Sequence, residues 1–352
     1  MFTLPESYSY KLQSLNRGIN SAPITNSCNA PYRMLVIDYN SNCFICNCDG
    51  WLPIPVGTVQ DFDSLEEVWN SNISKLLQND IDNKKFTWCA VDHCGIKEKN
   101  IYHNIYRLYI NIDESCNLAC PSCRRELINH TDGPIIEKKL KDVEKIMSWL
   151  EKFEQPIEIV LSGNGDPLAS TIIRPLIKSY KPKKNQSFRL FTNGLLLKKQ
   201  LNDSMLLPNI LLYSISIDAG SKIVYEKVRK GGRWEVLIEN FEYLKNTLKA
   251  KNVLLNYAVQ NNNFLDLYNF VELCNFYNFK GLIHQLDDWG TWNYDDVKNP
   301  DTWTLENGTY LSNNVLNKNH KNFNHCREVL QSIIEKNYSF INFSPKLKSL
   351  IS

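Results

Sequence analysis

Residues 107–126 read RLYINIDESCNLACPSCRRE. The opening run, 107–113, has the apolar, β-rich texture of a buried strand. Directly behind it come three cysteines, Cys116, Cys120 and Cys123, spaced x3 and x2. In parallel β/α folds the loops after the strands' C-terminal ends carry the active site, so the thiols are expected at a working end of the sheet. Four thiolates close a tetrahedral metal site, and three leave one position open. Zinc sites usually pair C-x2-C units; zinc here would have to borrow a fourth ligand such as His130.

Moving outward, similar apolar runs recur at 156–167 (PIEIVLSGNGDP), 187–194 (SFRLFTNG), 211–220 (LLYSISIDAG), 252–260 (NVLLNYAVQ) and 279–288 (FKGLIHQLDD). Continuous apolar runs suit parallel strands covered on both faces. Amphipathic stretches at 135–153 and 233–250 have helical spacing. Six β/α units in series predict an α/β fold, an open sheet or a partial (β/α)6 barrel.

The 352 residues are 43% hydrophobic and 22% charged, and the net charge is +2. Length alone suggests about two domains. The balanced charge gives no electrostatic case for nucleic acid or an anionic membrane. With no long apolar run and no signal-like N-terminus, the expected location is the cytosol. The sequons at Asn129 and Asn307 are then chance matches. A reducing compartment disfavours disulfides among eleven cysteines, and their clustering reads as metal ligation. Six lie between Cys28 and Cys94, three in the triplet, and only Cys274 and Cys326 lie beyond, by default as small core hydrophobes.

The N-terminal region has its own texture. Residues 32–50 look like a hairpin with cysteines at its tip, and 63–80 like a capped amphipathic helix. The expected division is a cysteine-rich domain over 1–100, the β/α region over 101–290, and a loop-rich extension over 291–352 with a last helix near 325–336. A zinc knuckle using Cys43-x2-Cys46 and Cys89-x4-Cys94 is one reading of the early cysteines.

The strand, the x3/x2 triplet and the strands downstream together resemble the radical S-adenosylmethionine (radical SAM) superfamily, over about residues 107–290. The resemblance implies a [4Fe–4S] cluster held by Cys116, Cys120 and Cys123, with S-adenosylmethionine on the open iron. It also implies reductive cleavage to methionine and a 5′-deoxyadenosyl radical that takes a hydrogen atom from substrate. A flavodoxin- or ferredoxin-type donor would supply the electron. SGNGDP resembles the family's Gly-Gly-Glu-Pro segment, which assigns Gly163, Asn164, Gly165 and Asp166 to the cofactor, with Asp166 in place of Glu. SISID is similar to the ribose-contacting strand, which implies roles for Ser214, Ser216 and Asp218. Arg229 resembles the arginine on the methionine carboxylate, a bidentate pairing that suits guanidinium. Asn193 of FTNG is similar to the family's third-strand turn.

CNAPYRMLVIDYNSNCFIC, 28–46, resembles the SPASM/twitch accessory motif, with Ser41 at a glycine position. GTVQDFDSLEEVWNS and CAVDHC continue the likeness. It implies an auxiliary [4Fe–4S] cluster on Cys28, Cys46, Cys89 and Cys94, with Cys43 or Cys48 as replacements for Cys46.

The resemblance points to modification of a ribosomally synthesised peptide or protein side chain by crosslinking, oxidation or epimerisation. The alternatives are a small-molecule dehydrogenase or mutase, for instance on an aminosugar, and a non-catalytic metal-binding protein. With 27 residues before Cys28, a leader-binding domain is expected to be absent or a separate partner protein. The stretch 284–296, with Asp287, Asp288, Trp289 and Trp292, is expected over the site's mouth as substrate contacts or as a solvated loop. Cys326 at the start of the last helix is either a hydrogen-atom donor to a substrate radical or a core thiol.

Overall fold

A computed structural model describes residues 24–46, 55–89, 94, 96, 99–124, 126–287 and 310–351. The chain forms two compact units. One holds the described residues up to Glu114 with His130–Arg189 and Ser204–Ile210; the other holds Ser115–Asn129, Leu190–Asp203 and the described residues from Leu211 onward.

The first unit is built on strands β1 (Met34–Ile37), β2 (Asn42–Phe44), β3 (Gly57–Thr58), β4 (Tyr106–Ile110) and β5 (Ile157–Leu161), in the order β3-β2-β1-β4-β5. β1 lies parallel to β4, with Met34 opposite Arg107 and Ile37 opposite Ile110. The cysteine-rich region therefore shares a sheet with the first β/α strands. All five residues of β5 are buried, including Glu158. That carboxylate is tolerated because Arg107 and Arg189 each donate to it at 2.6 Å, matching a buried charge with two partners.

The β1–β2 hairpin turns at Asp38–Ser41, where the Asp38 carboxylate accepts the amides of Asn40 and Asn42. Ser41 has φ +63°, the left-handed conformation that explains a glycine at the equivalent motif position. Its hydroxyl donates to Asp142 at 2.6 Å. Cys43 does not sit at the hairpin tip as expected; it lies in β2 opposite Ile37 and is fully buried. The helix expected over 63–80 is two, Leu65–Asn70 and Asn72–Asp82, broken at Ser71. Ser71 is extended, ends the first helix and caps the second by accepting the Ser74 amide.

Helix Pro134–Lys152 starts after Gly133, whose φ is +101°, with proline in its first turn. It buries Ile136, Val143, Ile146, Trp149 and Leu150, an apolar stripe at helical spacing. The Trp149 indole N–H donates to the Phe62 carbonyl at 3.2 Å, tying the helix to the cysteine-rich region.

Strand β6 (Gln186–Thr192) begins in the first unit and ends in the second. The second unit continues with β7 (Ile210–Ser216), β8 (Val253–Val259), β9 (Lys280–Gln285) and β10 (Ile341–Phe343) in that order, all parallel. Alternate residues Ile215, Leu255, Tyr257, Val259, Gly281 and Ile283 are buried on one face. A Cβ on Gly281 would lie 3.0 Å from Phe270 of helix Leu267–Tyr277, so glycine allows that helix to lie close. On the opposite face Ser216, Leu254, Ala258, Leu282 and His284 are half-buried, whereas Ser214 and Asn256 are buried. The six strands expected between 107 and 288 are β4–β9. β10 is an addition from the region read as loop-rich. The amphipathic stretch 233–250 is α-helical over Trp234–Glu242 and then widens to a π turn, Tyr243–Thr247. No helix among the described residues is long and apolar enough to cross a membrane.

Candidate iron–sulfur site

The cysteine triplet lies in the second unit, on the loop 115–129. The amides of Cys123 and Arg124 both donate to the Cys120 carbonyl, at 2.9 and 3.0 Å, closing a tight turn around the C-x2-C pair. The Cys116 amide donates to Ile128 O at 2.8 Å. The Ala119 amide donates to Lys230 O at 3.0 Å, fastening the loop beside Arg229. Cys120 is buried, and Cys116 and Cys123 are half-buried.

Among the described residues, a side-chain N–H approaches each sulfur. Asn193 Nδ2 lies 3.8 Å from Cys116 Sγ, Arg229 Nη1 3.8 Å from Cys120 Sγ, and Arg124 Nη2 3.9 Å from Cys123 Sγ. Asn193 follows β6 and is held by Asn117, whose side-chain Oδ1 accepts from Asn193 Nδ2 at 2.8 Å. The Asn193 carbonyl accepts Leu195 N, the side-chain turn that TNG announces. Burial pushes the Cys120 thiol up, and the Arg229 guanidinium opposes that shift. Burial lowers the Arg229 pKa, but Asp218 and Cys120 outweigh it and hold the guanidinium charged.

Asp218 and Arg229, assigned by resemblance to different parts of the cofactor, pair with each other at 2.7 Å. Arg229 Nε is buried and has no hydrogen-bond partner. A buried donor without an acceptor is costly, and an incoming carboxylate would satisfy it. Asp218 stands at φ +53° at the end of β7; its other oxygen accepts Ala258 N at 2.8 Å. Ser214 is buried and accepts from Asn256 Nδ2 at 2.8 Å, whereas Ser216 is half-buried.

The Ser162–Pro167 turn belongs to the first unit. Gly163 and Asn164 are exposed and Gly165 half-buried. Gly163 has φ +147°, and a Cβ there would lie 3.2 Å from the Asn111 backbone. Asp166 is buried, and one of its oxygens accepts Leu168 N at 2.9 Å, which starts the following turn.

The same unit gathers the earlier cysteines. Cys28, Cys89 and Cys94 pack against Ile81, Phe86 and Ile96. The Cys28 thiol is pushed up to about 11, first by burial and then by the closeness of Cys46 and Cys94, against a backbone hydrogen bond at Ala30. Cys89 is raised by burial and by Cys46, Cys28 and Cys94 together. Cys43 is raised by burial and then by Asp38, Asp61 and Asp142, so its charged neighbours are acids rather than the other thiols. Cys48, His93, Asp288, Trp289 and Trp292 lie outside the described residues; Asp287 pairs with Lys346 at 2.8 Å. Cys326 is fully buried on helix Phe323–Glu335, and burial pushes its thiol up to about 12. Cys274 is also fully buried.

Both donor sets are all-thiol, which suits iron–sulfur clusters. Among the described residues, no three His, Cys, Asp or Glu side chains are close enough to hold a single metal ion. Sequence reasoning missed Arg124, which reads as an ordinary surface charge but is only 8% exposed.

A family model described as the radical SAM superfamily matches residues 110–274. Curated relatives include a probable GTP 3′,8-cyclase of Methanococcus maripaludis, 28% identical over 136 residues, which are 38% of this chain and 43% of that one. A probable GTP 3′,8-cyclase of Methanocaldococcus jannaschii is 27% identical over 175 residues, 48% of this chain and 55% of that one. The chain thus spans about half the length of the curated relatives it matches. Among solved structures, Streptococcus suis SuiB bound to precursor peptide SuiA aligns with TM-score 0.44 and 15% identity, covering 77% of this chain and 62% of that one. Native anSMEcpe with bound AdoMet aligns with TM-score 0.38 and 20% identity, covering 52% of each chain. The alternation of parallel strands and helices matches a radical SAM (β/α) partial barrel. Residues 110–274 are a radical SAM domain.

Proposed function

We propose that the chain cleaves S-adenosylmethionine at a [4Fe–4S] cluster on Cys116, Cys120 and Cys123, and uses the resulting radical to modify a ribosomally synthesised peptide or protein side chain. The cluster would supply the single electron for that cleavage. Toward it the chain offers three thiols on a loop fastened at Ile128 and Lys230, each beside a side-chain N–H. Arg229 Nε is the donor assigned to the cofactor's carboxylate, the buried N–H that lacks an acceptor. The peptide reading rests on the SPASM/twitch resemblance of the second cysteine group, of which Cys28, Cys89 and Cys94 pack on an apolar backing.

A second reading, a small-molecule substrate, is favoured by the relatives named GTP 3′,8-cyclase. The test is anaerobic reconstitution followed by 5′-deoxyadenosine formation with dithionite. Cys120→Ala should form none; formation at the parental rate overturns the assignment. Stimulation by a short peptide encoded beside this gene, but not by GTP, supports the peptide reading. Stimulation by GTP alone replaces it with the second.

A further inference from the structure

The triplet's three N–H contacts are chemically unequal. Asn193 brings a neutral dipole to Cys116. Arg229 brings a full charge to Cys120, but Asp218 lies 2.7 Å from the same guanidinium and offsets it. Arg124 brings a charge to Cys123, from within the loop itself. It is 8% exposed, and its Nη2 lies 3.9 Å from Cys123 Sγ. Cationic N–H groups at thiolate sulfurs stabilise the more negative, reduced state of a cluster, because added negative charge is drawn toward the donor. Burial strengthens that field by keeping water from screening it.

We propose that Arg124 is a positioning residue that sets the reduction potential of the cluster on Cys116, Cys120 and Cys123, holding it higher than the thiolates alone would. The inference rests on the reading of the triplet as a cluster site. It adds a role for a residue next to the last ligand that the motif itself does not specify.

The test is a potentiometric titration of the reconstituted full chain, followed by electron paramagnetic resonance. The component that disappears in Cys120→Ala belongs to the triplet. If none disappears, the cluster reading itself fails, an outcome distinct from any result at Arg124. In Arg124→Gln that component should be about tenfold less reduced at the parental midpoint, a negative shift of about 59 mV for a one-electron couple. Arg124→Lys keeps the charge and should keep the parental midpoint. A parental midpoint in Arg124→Gln overturns the proposal. So does a lysine variant shifted to a more negative potential, which decides the matter even where the glutamine variant takes up no iron.

Discussion

Asp218 is held by three contacts in a left-handed conformation. Its backbone is left-handed at φ +53°, its carbonyl accepts Asn263 Nδ2 at 2.9 Å, and its two carboxylate oxygens take Ala258 N and Arg229. A non-glycine residue persists in such a conformation only when its surroundings fix it, and such positions cluster at functional sites. Asp218→Asn keeps a side chain that tolerates this conformation and still accepts from Ala258, but it leaves the Arg229 guanidinium buried without its carboxylate. The expected cost is on the order of 3–5 kcal/mol, read as a lower urea midpoint; an unchanged midpoint would show that the pair is not structural. The thiols make a second case at this scale. In iron-free protein Cys28 is raised from 9.0 to about 11, mainly by burial. A raised folded pKa gives stability that is present below pH 9 and lost as pH rises through 11. Thermal melts of the iron-free chain should therefore fall steeply over that window, and iron-loaded protein, whose thiols are already deprotonated by the metal, should not show this loss.

At the scale of elements, helix Asn72–Asp82 supports the cysteine group through Ile81, which is 4% exposed beside Phe86 and Ile96. Ile81→Ala should lower stability by about 2–5 kcal/mol and loosen the backing of Cys28, Cys89 and Cys94. Urea denaturation measures the first effect and iron content the second. This helix shows what the sequence made legible and what it did not. Its amphipathic spacing was readable across 63–80, but the break at Ser71 was not, because serine serves equally as a helix surface residue and as a cap. The strands β4–β9 were readable because continuous apolar runs mark buried parallel strands. β1 was expected only as half of a hairpin; its parallel pairing with β4 joins residues about seventy positions apart, and no local pattern announces that. β10 was missed because INF, Ile341–Phe343, is too short to show a period. The triplet was legible as spacing, whereas Arg124 and the Asp218–Arg229 pair depend on which charges fold inward.

At the scale of the whole molecule, each unit carries its own thiol group: Cys28, Cys46, Cys89 and Cys94 in the first, Cys116, Cys120 and Cys123 in the second. The two differ in donor count, and that difference predicts different chemistry. Four thiolates can saturate a cubane, so the first group should hold a cluster with no open iron, while the second leaves one iron for an exogenous ligand. Anaerobically reconstituted protein should accordingly contain roughly eight irons per chain. The double variant Cys46→Ala/Cys89→Ala should fall to roughly four, with its remaining paramagnetic signal still perturbed by S-adenosylmethionine. Cys116→Ala/Cys120→Ala should also fall to roughly four, with a remaining signal indifferent to the cofactor. Parental protein with about four irons and stoichiometric zinc would return the first group to the zinc-knuckle reading. A cofactor-sensitive signal that survives loss of Cys116 and Cys120 would instead move the open iron to the first unit.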